Sequence, residues 1–232
     1  MLALEHVEVR YPRFTLGPVS LTVAPGDRIV LAGRNASGKS TLLSVLAGRR
    51  RPTSGTLRFL DSPLDPEGTV ALRAQVALVA ADTGSCPWLT VGQQFALLAD
   101  VMPGFQVHRA LALADRLELD PDATAGTLSR GSVMKLGLCC AWGQRPRVLL
   151  LDEPTAGLDP VARERLLQEI DTLLAHDDAP ALVYTTHLLE EIEALHASAF
   201  LILHRGAATL HPVTPGDTPA AAHALALLRE DA

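Results

Sequence analysis

Gly33-Arg34-Asn35-Ala36-Ser37-Gly38-Lys39-Ser40-Thr41 follows an apolar, strand-like segment, Arg28 to Ala32, and opens a helix-like one, Leu42 to Ala47. In that setting the stretch reads as a phosphate-binding loop. Gly33 and Gly38 let the backbone curl so that successive N–H groups point inward at an anion, and the following helix adds the positive end of its dipole. Lys39 then reaches the β- and γ-phosphates while the Ser40 hydroxyl ligates magnesium. The chain holds only two lysines against eighteen arginines, so a Lys at this position suggests that a compact point charge is needed. The plainer alternative is a glycine-rich turn before an ordinary helix.

The surrounding chain has room for such a site. Its 232 residues, 48% of them apolar, can bury a substantial core as one domain or one domain with a subdomain. A formal net charge of -6 argues against a protein that holds nucleic acid by bulk electrostatics. Cys86, Cys139 and Cys140 make no conventional disulfide framework, and neighbouring helical positions point 139 and 140 apart. They are expected to be core thiols in a reducing cytosol. No apolar run reaches the roughly 18 residues needed to span a bilayer, and Met1 to His6 lacks the features of a signal peptide. Any membrane role is expected to come through a partner.

Short β-type segments, Leu2 to Val9, Val19 to Val23 and Ile29 to Ala32, lead into the loop, with a turn at Pro25-Gly26-Asp27. Gly48 suits the end of the following helix. Arg49-Arg50-Arg51 then reads either as a solvated helix end or as a phosphate-binding patch. From Thr90 to Gln144 the apolar spacing turns helical: Val91, Phe95 and Leu98, then Leu111, Ala114 and Leu117. A helical insertion therefore interrupts an α/β core. Buried parallel strands are expected at Val148 to Leu151, Ala181 to Thr185 and Ala199 to Leu203. A helix over Val161 to Ala175 is marked by Asp159 as cap and Pro160 at its first position.

The strand Val148 to Leu151 runs into Asp152-Glu153, and strand ends are where ligands sit in open α/β sheets. Asp152 can hold magnesium, usually through its water shell, and Glu153 can orient or polarise an attacking water. An exposed strand end would explain the pair alone; beside a phosphate loop it completes a nucleotide site.

Two further segments exceed what a generic nucleotide-binding domain needs. Leu128-Ser129-Arg130-Gly131-Ser132 opens the helix before the Asp-Glu strand, and Ala156-Gly157-Leu158-Asp159 follows Asp152-Glu153-Pro154-Thr155. Here the sequence resembles the ATP-binding subunits of ABC transporters, from about Leu2 to about Leu210. The resemblance implies an α/β fold, a P-loop NTPase (RecA-like) core with an N-terminal antiparallel β subdomain and an inserted α-helical subdomain. One ABC ATPase domain would then cover residues 1–232, with core and β subdomain in 1–84 and 146–210, the helical subdomain in 85–145 and a C-terminal tail in 211–232.

The resemblance also implies roles. ATP would be held by Gly33 to Thr41, with magnesium on Ser40 and Asp152 and catalysis by Lys39, Glu153 and His187. Tyr11 matches the aromatic that stacks on adenine, with a strand-packing role as the alternative. Ser129 and Gly131 match the segment that closes on the γ-phosphate of the opposite subunit, and Asp159 belongs to the turn joining the two sites. The partners implied are a separate transmembrane permease and a second ATPase subunit, in a homodimer or heterodimer, with no nucleic acid. The chain would lie at the cytoplasmic face of the membrane.

Two positions depart from the family pattern. The usual Gln after the strand Val76 to Ala80 is replaced by Ala81, which cannot ligate metal; either Asp82 substitutes or the position is vacant. Arg130, with Ser132, stands in a segment more often Leu-Ser-Gly-Gly-Gln and resembles the Leu-Ser-Lys-Gly variant of ABC-2-type exporters. Trp88, Pro103 and Leu189 to Glu193 also resemble that branch, although packing or a solvated face would explain each. The expected function is ATP-driven powering of such an exporter. The alternatives are a non-transport ABC ATPase and a poorly hydrolysing regulatory or immunity subunit.

Overall fold

The strand β1 (Leu2–Tyr11) buries Leu2 and Leu4, then Val7 and Val9. Strict alternation would continue inward at 6 and 8, so the strand must gain one residue between the two pairs. It does so by a bulge around Glu5 and His6, where pairing to both neighbours shifts register and His6 takes a φ of 48°. Opposite lies Gly55, where a Cβ would stand 2.3 Å from the His6 carbonyl oxygen, so only glycine admits this approach.

The computed structural model describes residues 1–60, 62–63, 66–80, 84–176, 178–186, 188, 191 and 195–213. Among these, β1 pairs antiparallel with β2 (Phe14–Val23) and β4 (Ser54–Phe59), and β5 (Ser62–Pro63) extends the sheet to the order β2-β1-β4-β5. A six-stranded sheet has the order β10 (Ala207–Pro212), β9 (Ala199–His204), β3 (Arg28–Gly33), β8 (Ala181–Thr186), β7 (Val148–Asp152), β6 (Val76–Val79). Its pairings are parallel except the β9–β10 hairpin.

The apolar runs of β7 and β8 have a direct cause, for each strand serves two cores. Val148, Leu150, Ala181 and Val183 face α1 (Lys39–Leu46) and the antiparallel sheet. Leu149, Leu151, Leu182 and Tyr184 face the opposite side, with α6 (Pro160–Leu174) and the helical insertion. Burying each leucine contributes roughly 1.5–3 kcal/mol, which fixes both the sheet and the strand ends that carry Asp152 and Glu153.

The helical stretch is three helices, α3 (Val91–Val101), α4 (Val107–Arg116) and α5 (Arg130–Gly143), with a 3-10 turn at Ala125–Thr127. Thr90 starts α3 with a reciprocal capping box to Gln93. α2 (Pro66–Gln75), β4 and β10 were not anticipated from the sequence, and β10 runs to Pro212, past the expected tail boundary at 211. No helix among the described residues is long and apolar enough to cross a membrane.

Candidate phosphate-binding site

β3 ends at Gly33, where a Cβ would stand 2.4 Å from the Leu203 carbonyl oxygen and 2.7 Å from Ser37 Oγ. The loop can therefore leave the sheet only through glycine. Its turn is closed by the Ser37 N–H donating to the Arg34 carbonyl at 3.2 Å. Ala36 and Gly38 both have positive φ, 63° and 110°. Gly38 is the N-cap of α1 and no side chain caps the helix, so the positive end of its dipole faces the loop cavity. Ser37 Oγ, packed against Gly33 within the loop, is buried without a hydrogen-bond partner among the described residues. An unpartnered buried hydroxyl beside an uncapped helix end suits a bound anion.

Lys39 is buried at 6% exposure, its Nζ donating to the Gly33 carbonyl at 2.8 Å and the Arg34 carbonyl at 3.3 Å. The same ammonium lies 3.6 Å from Glu153 Oε1. The loop and the Asp-Glu strand end, far apart in sequence, thus meet at one charge pair. They border a cavity of about 650 Å³ that Tyr11, Asn35, Ser40 and Thr41 also line. Tyr11 Oη lies 3.4 Å from Thr41 Oγ1, and the Tyr11 and Phe14 rings are 6.2 Å apart. Arg13 and Phe14, which sequence reading missed, close the same cavity from the β1–β2 hairpin. Arg49, Arg50 and Arg51 are exposed just past the end of α1, as the solvated-end reading has it, and the Arg50 guanidinium also sits 4.8 Å over the Tyr11 ring.

Thr185 was missed from the sequence as well. Its buried hydroxyl accepts from the Glu153 N–H at 2.8 Å and donates to Asp152 Oδ1 at 2.8 Å. One side chain thus aligns both carboxylate residues. Glu153 has φ 46°, left-handed for a non-glycine residue, a conformation that persists only where its surroundings over-determine it. The strand-pairing of Asp152 with Thr185 was the available signal, but it requires knowing which strand lies beside β7.

Within one chain, Ser129, Gly131 and Asp159 lie outside this cavity. Ser129 caps α5, its Oγ accepting from the Ser132 N–H at 3.2 Å. A Cβ on Gly131 would stand 2.4 Å from Leu158 Cδ2, so this segment packs on the turn before α6. Asp159 Oδ1 accepts from the Val161 and Ala162 N–H groups at 3.0 Å each. His187, Ala81 and Asp82 lie outside the described residues. Of the thiols, Cys139 is buried in the core, and burial raises it strongly; Cys140 is pushed up to about 12 by burial. Burial thus favours the neutral thiol at both. Cys86 departs from the core reading: it is half-buried in the loop before α3.

Two oxygen donors suit a hard cation. Ser40 offers a hydroxyl on the cavity, and Asp152, the residue before the Glu153 that lines it, offers a carboxylate whose Oδ1 is already bonded by Thr185. Among the described residues no group of three or more His, Cys, Asp and Glu could enclose a metal. A donor set of one hydroxyl and one carboxylate fits magnesium, which keeps most of its waters and shares its site with phosphates.

The family model for the ABC transporter matches residues 16–156, from within β2, just past the cavity's hairpin wall, to the turn beyond Glu153. The chain belongs to the ABC transporter family. The Nod factor export ATP-binding protein I of Burkholderia pseudomallei is 34% identical over 198 residues, 82% of this chain and 64% of that protein. The arabinose import ATP-binding protein AraG 2 of Burkholderia thailandensis is 36% identical over 207 residues, 84% of this chain and 38% of its own length. The chain thus spans less than two thirds of these relatives. A dimeric ATP-binding cassette solved in a post-hydrolysis state with ADP and Pi superposes with a TM-score of 0.81 at 21% identity, over 92% of this chain and 99% of that one. The ABC cassette's P-loop NTPase fold is the fold of this chain.

Proposed function

We propose that this ABC-family chain binds and hydrolyses ATP and, paired head to tail with a second such subunit, powers a separate membrane-spanning exporter from its cytoplasmic face. The observation that supports this most is one cavity that gathers Tyr11, the phosphate loop and Glu153, with Lys39 between loop and carboxylate. Tyr11 stacks on the base. The loop N–H groups and Lys39 hold the phosphates and neutralise charge that develops on them. Ser40 and Asp152 hold magnesium, which supplies further neutralisation when bound. Glu153 orients and polarises the attacking water, and His187 contacts the γ-phosphate. Ser129 and Gly131 reach the γ-phosphate of the opposite subunit, which accounts for their exclusion from the cavity of their own chain. Asp159 lies in the turn between the two sites.

Export, rather than import, draws on Arg130 with Ser132 and on the Nod factor export relatives; the arabinose import relative shares the cassette over a smaller part of its length. The test is sizing of the purified chain carrying Glu153→Gln, with and without MgATP. A nucleotide-dependent shift from monomer to dimer is expected. A chain that stays monomeric and takes up no ATP overturns the reading.

A further inference from the structure

Glu191 is a carboxylate with no solvent exposure, and it belongs to no part of the cavity. Three hydroxyls from two separate segments donate to it. Thr155, in the turn two residues beyond Glu153, reaches Oε1; Tyr184 reaches Oε2 at 3.0 Å; Thr186 also reaches Oε2. Arg163 Nε, from the beginning of α6, lies 3.8 Å from Oε1. Burying a carboxylate costs several kcal/mol unless it is paired and fully bonded, and here three charge-assisted hydrogen bonds and a cation offset that cost. A solvated helix face, one reading of Leu189 to Glu193 from sequence, does not describe this residue.

The placement of the three hydroxyls is the informative part. Tyr184 and Thr186 flank Thr185, the residue that bonds both the Glu153 N–H and Asp152. Thr155 begins the turn in which the Ala156 N–H donates to the Glu153 carbonyl at 3.0 Å and the Leu158 N–H donates to the Thr155 carbonyl at 3.1 Å. Glu191 therefore ties the end of β8, on both sides of Thr185, to the turn that follows Glu153. Glu153 is the residue held at φ 46°, and such a conformation needs over-determination by its neighbours.

We infer that Glu191 is a positioning residue: it clamps the Thr155 turn to the end of β8 so that the Glu153 carboxylate is held on the cavity. The inference rests on the proposed role of Glu153. It acts through geometry, and the scale is that a misplacement of about 1 Å can cost on the order of 10²-fold in rate.

The test combines amide hydrogen exchange with turnover on the full chain. Glu191→Gln keeps the volume but replaces one acceptor oxygen by a donor. The expected result is exchange at least about tenfold faster at the amides of Ala156 and Leu158, with β1 and β2 unchanged, as for local opening. ATP turnover should fall about tenfold with KM held within about twofold. In a Glu153→Gln background the same change should lower turnover no further. Thr155→Val, which removes one donor only, should reproduce the exchange effect in a milder form should Glu191→Gln fold poorly, and Thr155→Ser should restore it. Unchanged exchange in the turn, or full multiplicative loss on top of Glu153→Gln, overturns the clamp. Exchange reads the tie whether or not the chain hydrolyses ATP, so a wild-type protein without turnover would sink the proposed function separately.

Discussion

Two helices leave the same sheet at strand ends and start on opposite plans. At α6, Asp159 Oδ1 takes the N–H groups of Val161 and Ala162, and Pro160 at the first position has no N–H to satisfy. At α1, Gly38 supplies no side chain, no cap bond forms, and the buried Ser37 hydroxyl beside it has no partner among the described residues. Both helix ends carry the same partial positive charge. One is neutralised by its own chain and stabilises the fold; the other is left for an anion brought from outside. The difference teaches where stability was withheld for binding, since a capping side chain is typically worth about 1 kcal/mol.

The largest effect is expected where the open end meets the carboxylate. Glu153→Gln should preserve the shape of the cavity and ATP affinity yet cut turnover by roughly 10²-fold or more, the scale of lost general-base catalysis. Steady-state hydrolysis alongside equilibrium ATP binding reads both quantities; unchanged turnover would remove Glu153 from the site. Lys39→Ala comes next. Its ammonium is a buried cation shared between the loop carbonyls and Glu153. ATP affinity should fall by about tenfold or more, consistent with loss of a charge-assisted contact worth about 1.5–3 kcal/mol. A far-ultraviolet spectrum like the wild type would show that the fold survives.

Ser37→Ala sharpens the comparison itself. If the open end of α1 is reserved for an anion, removing an unpartnered hydroxyl leaves the thermal midpoint of the empty chain unchanged or slightly higher. ATP affinity should drop by about 2- to 10-fold, the equivalent of one ordinary hydrogen bond of about 0.5–1.5 kcal/mol. Differential scanning with and without MgATP measures both. A lower midpoint without nucleotide would mean that the hydroxyl serves the fold and that the two helix ends are more alike than they look.

The residues at both helix ends were legible in sequence for the same reason: each depends on local chemistry. Gly, Lys and Ser at fixed offsets after a strand, or Asp-Pro before a helix, act through backbone groups a few residues away. What was not legible depends on pairing between distant segments. Thr185 can align Asp152 and Glu153 only because β8 lies beside β7 in that register. Arg13 and Phe14 close the cavity because the β1–β2 hairpin folds over the loop; a Cβ on Gly38 would stand 3.0 Å from Phe14 Cζ. The bulge in β1 leaves only a broken alternation, Leu2, Leu4, Val7, Val9, with no turn residue to mark it. β4 and α2 are short and interrupted by Gly and Pro, so neither shows a long apolar period.

The sealed end of α6 makes the smallest and most specific prediction. Asp159 is held below its ordinary value of 3.8, chiefly by the Ala162 N–H, with the Val161 N–H adding to it. A carboxyl depressed in the folded state contributes stability that is present above its unfolded value and lost as pH falls through its folded one. Asp159→Ala should therefore lower the thermal midpoint by about 2–4 °C at neutral pH, as expected for a lost cap in a chain of this size. The gap from wild type should narrow as pH falls below 3.8 and on through the lower folded-state value at which the wild-type carboxyl itself becomes protonated. Asp159→Asn should recover most of the midpoint at neutral pH, because an amide oxygen caps nearly as well, and it should show no such pH dependence. Thermal scans of the three proteins at pH 7 and pH 3 decide it. An equal gap at both values would mean that the charge does no work at this helix end, and the contrast with α1 would then rest on hydrogen bonding alone.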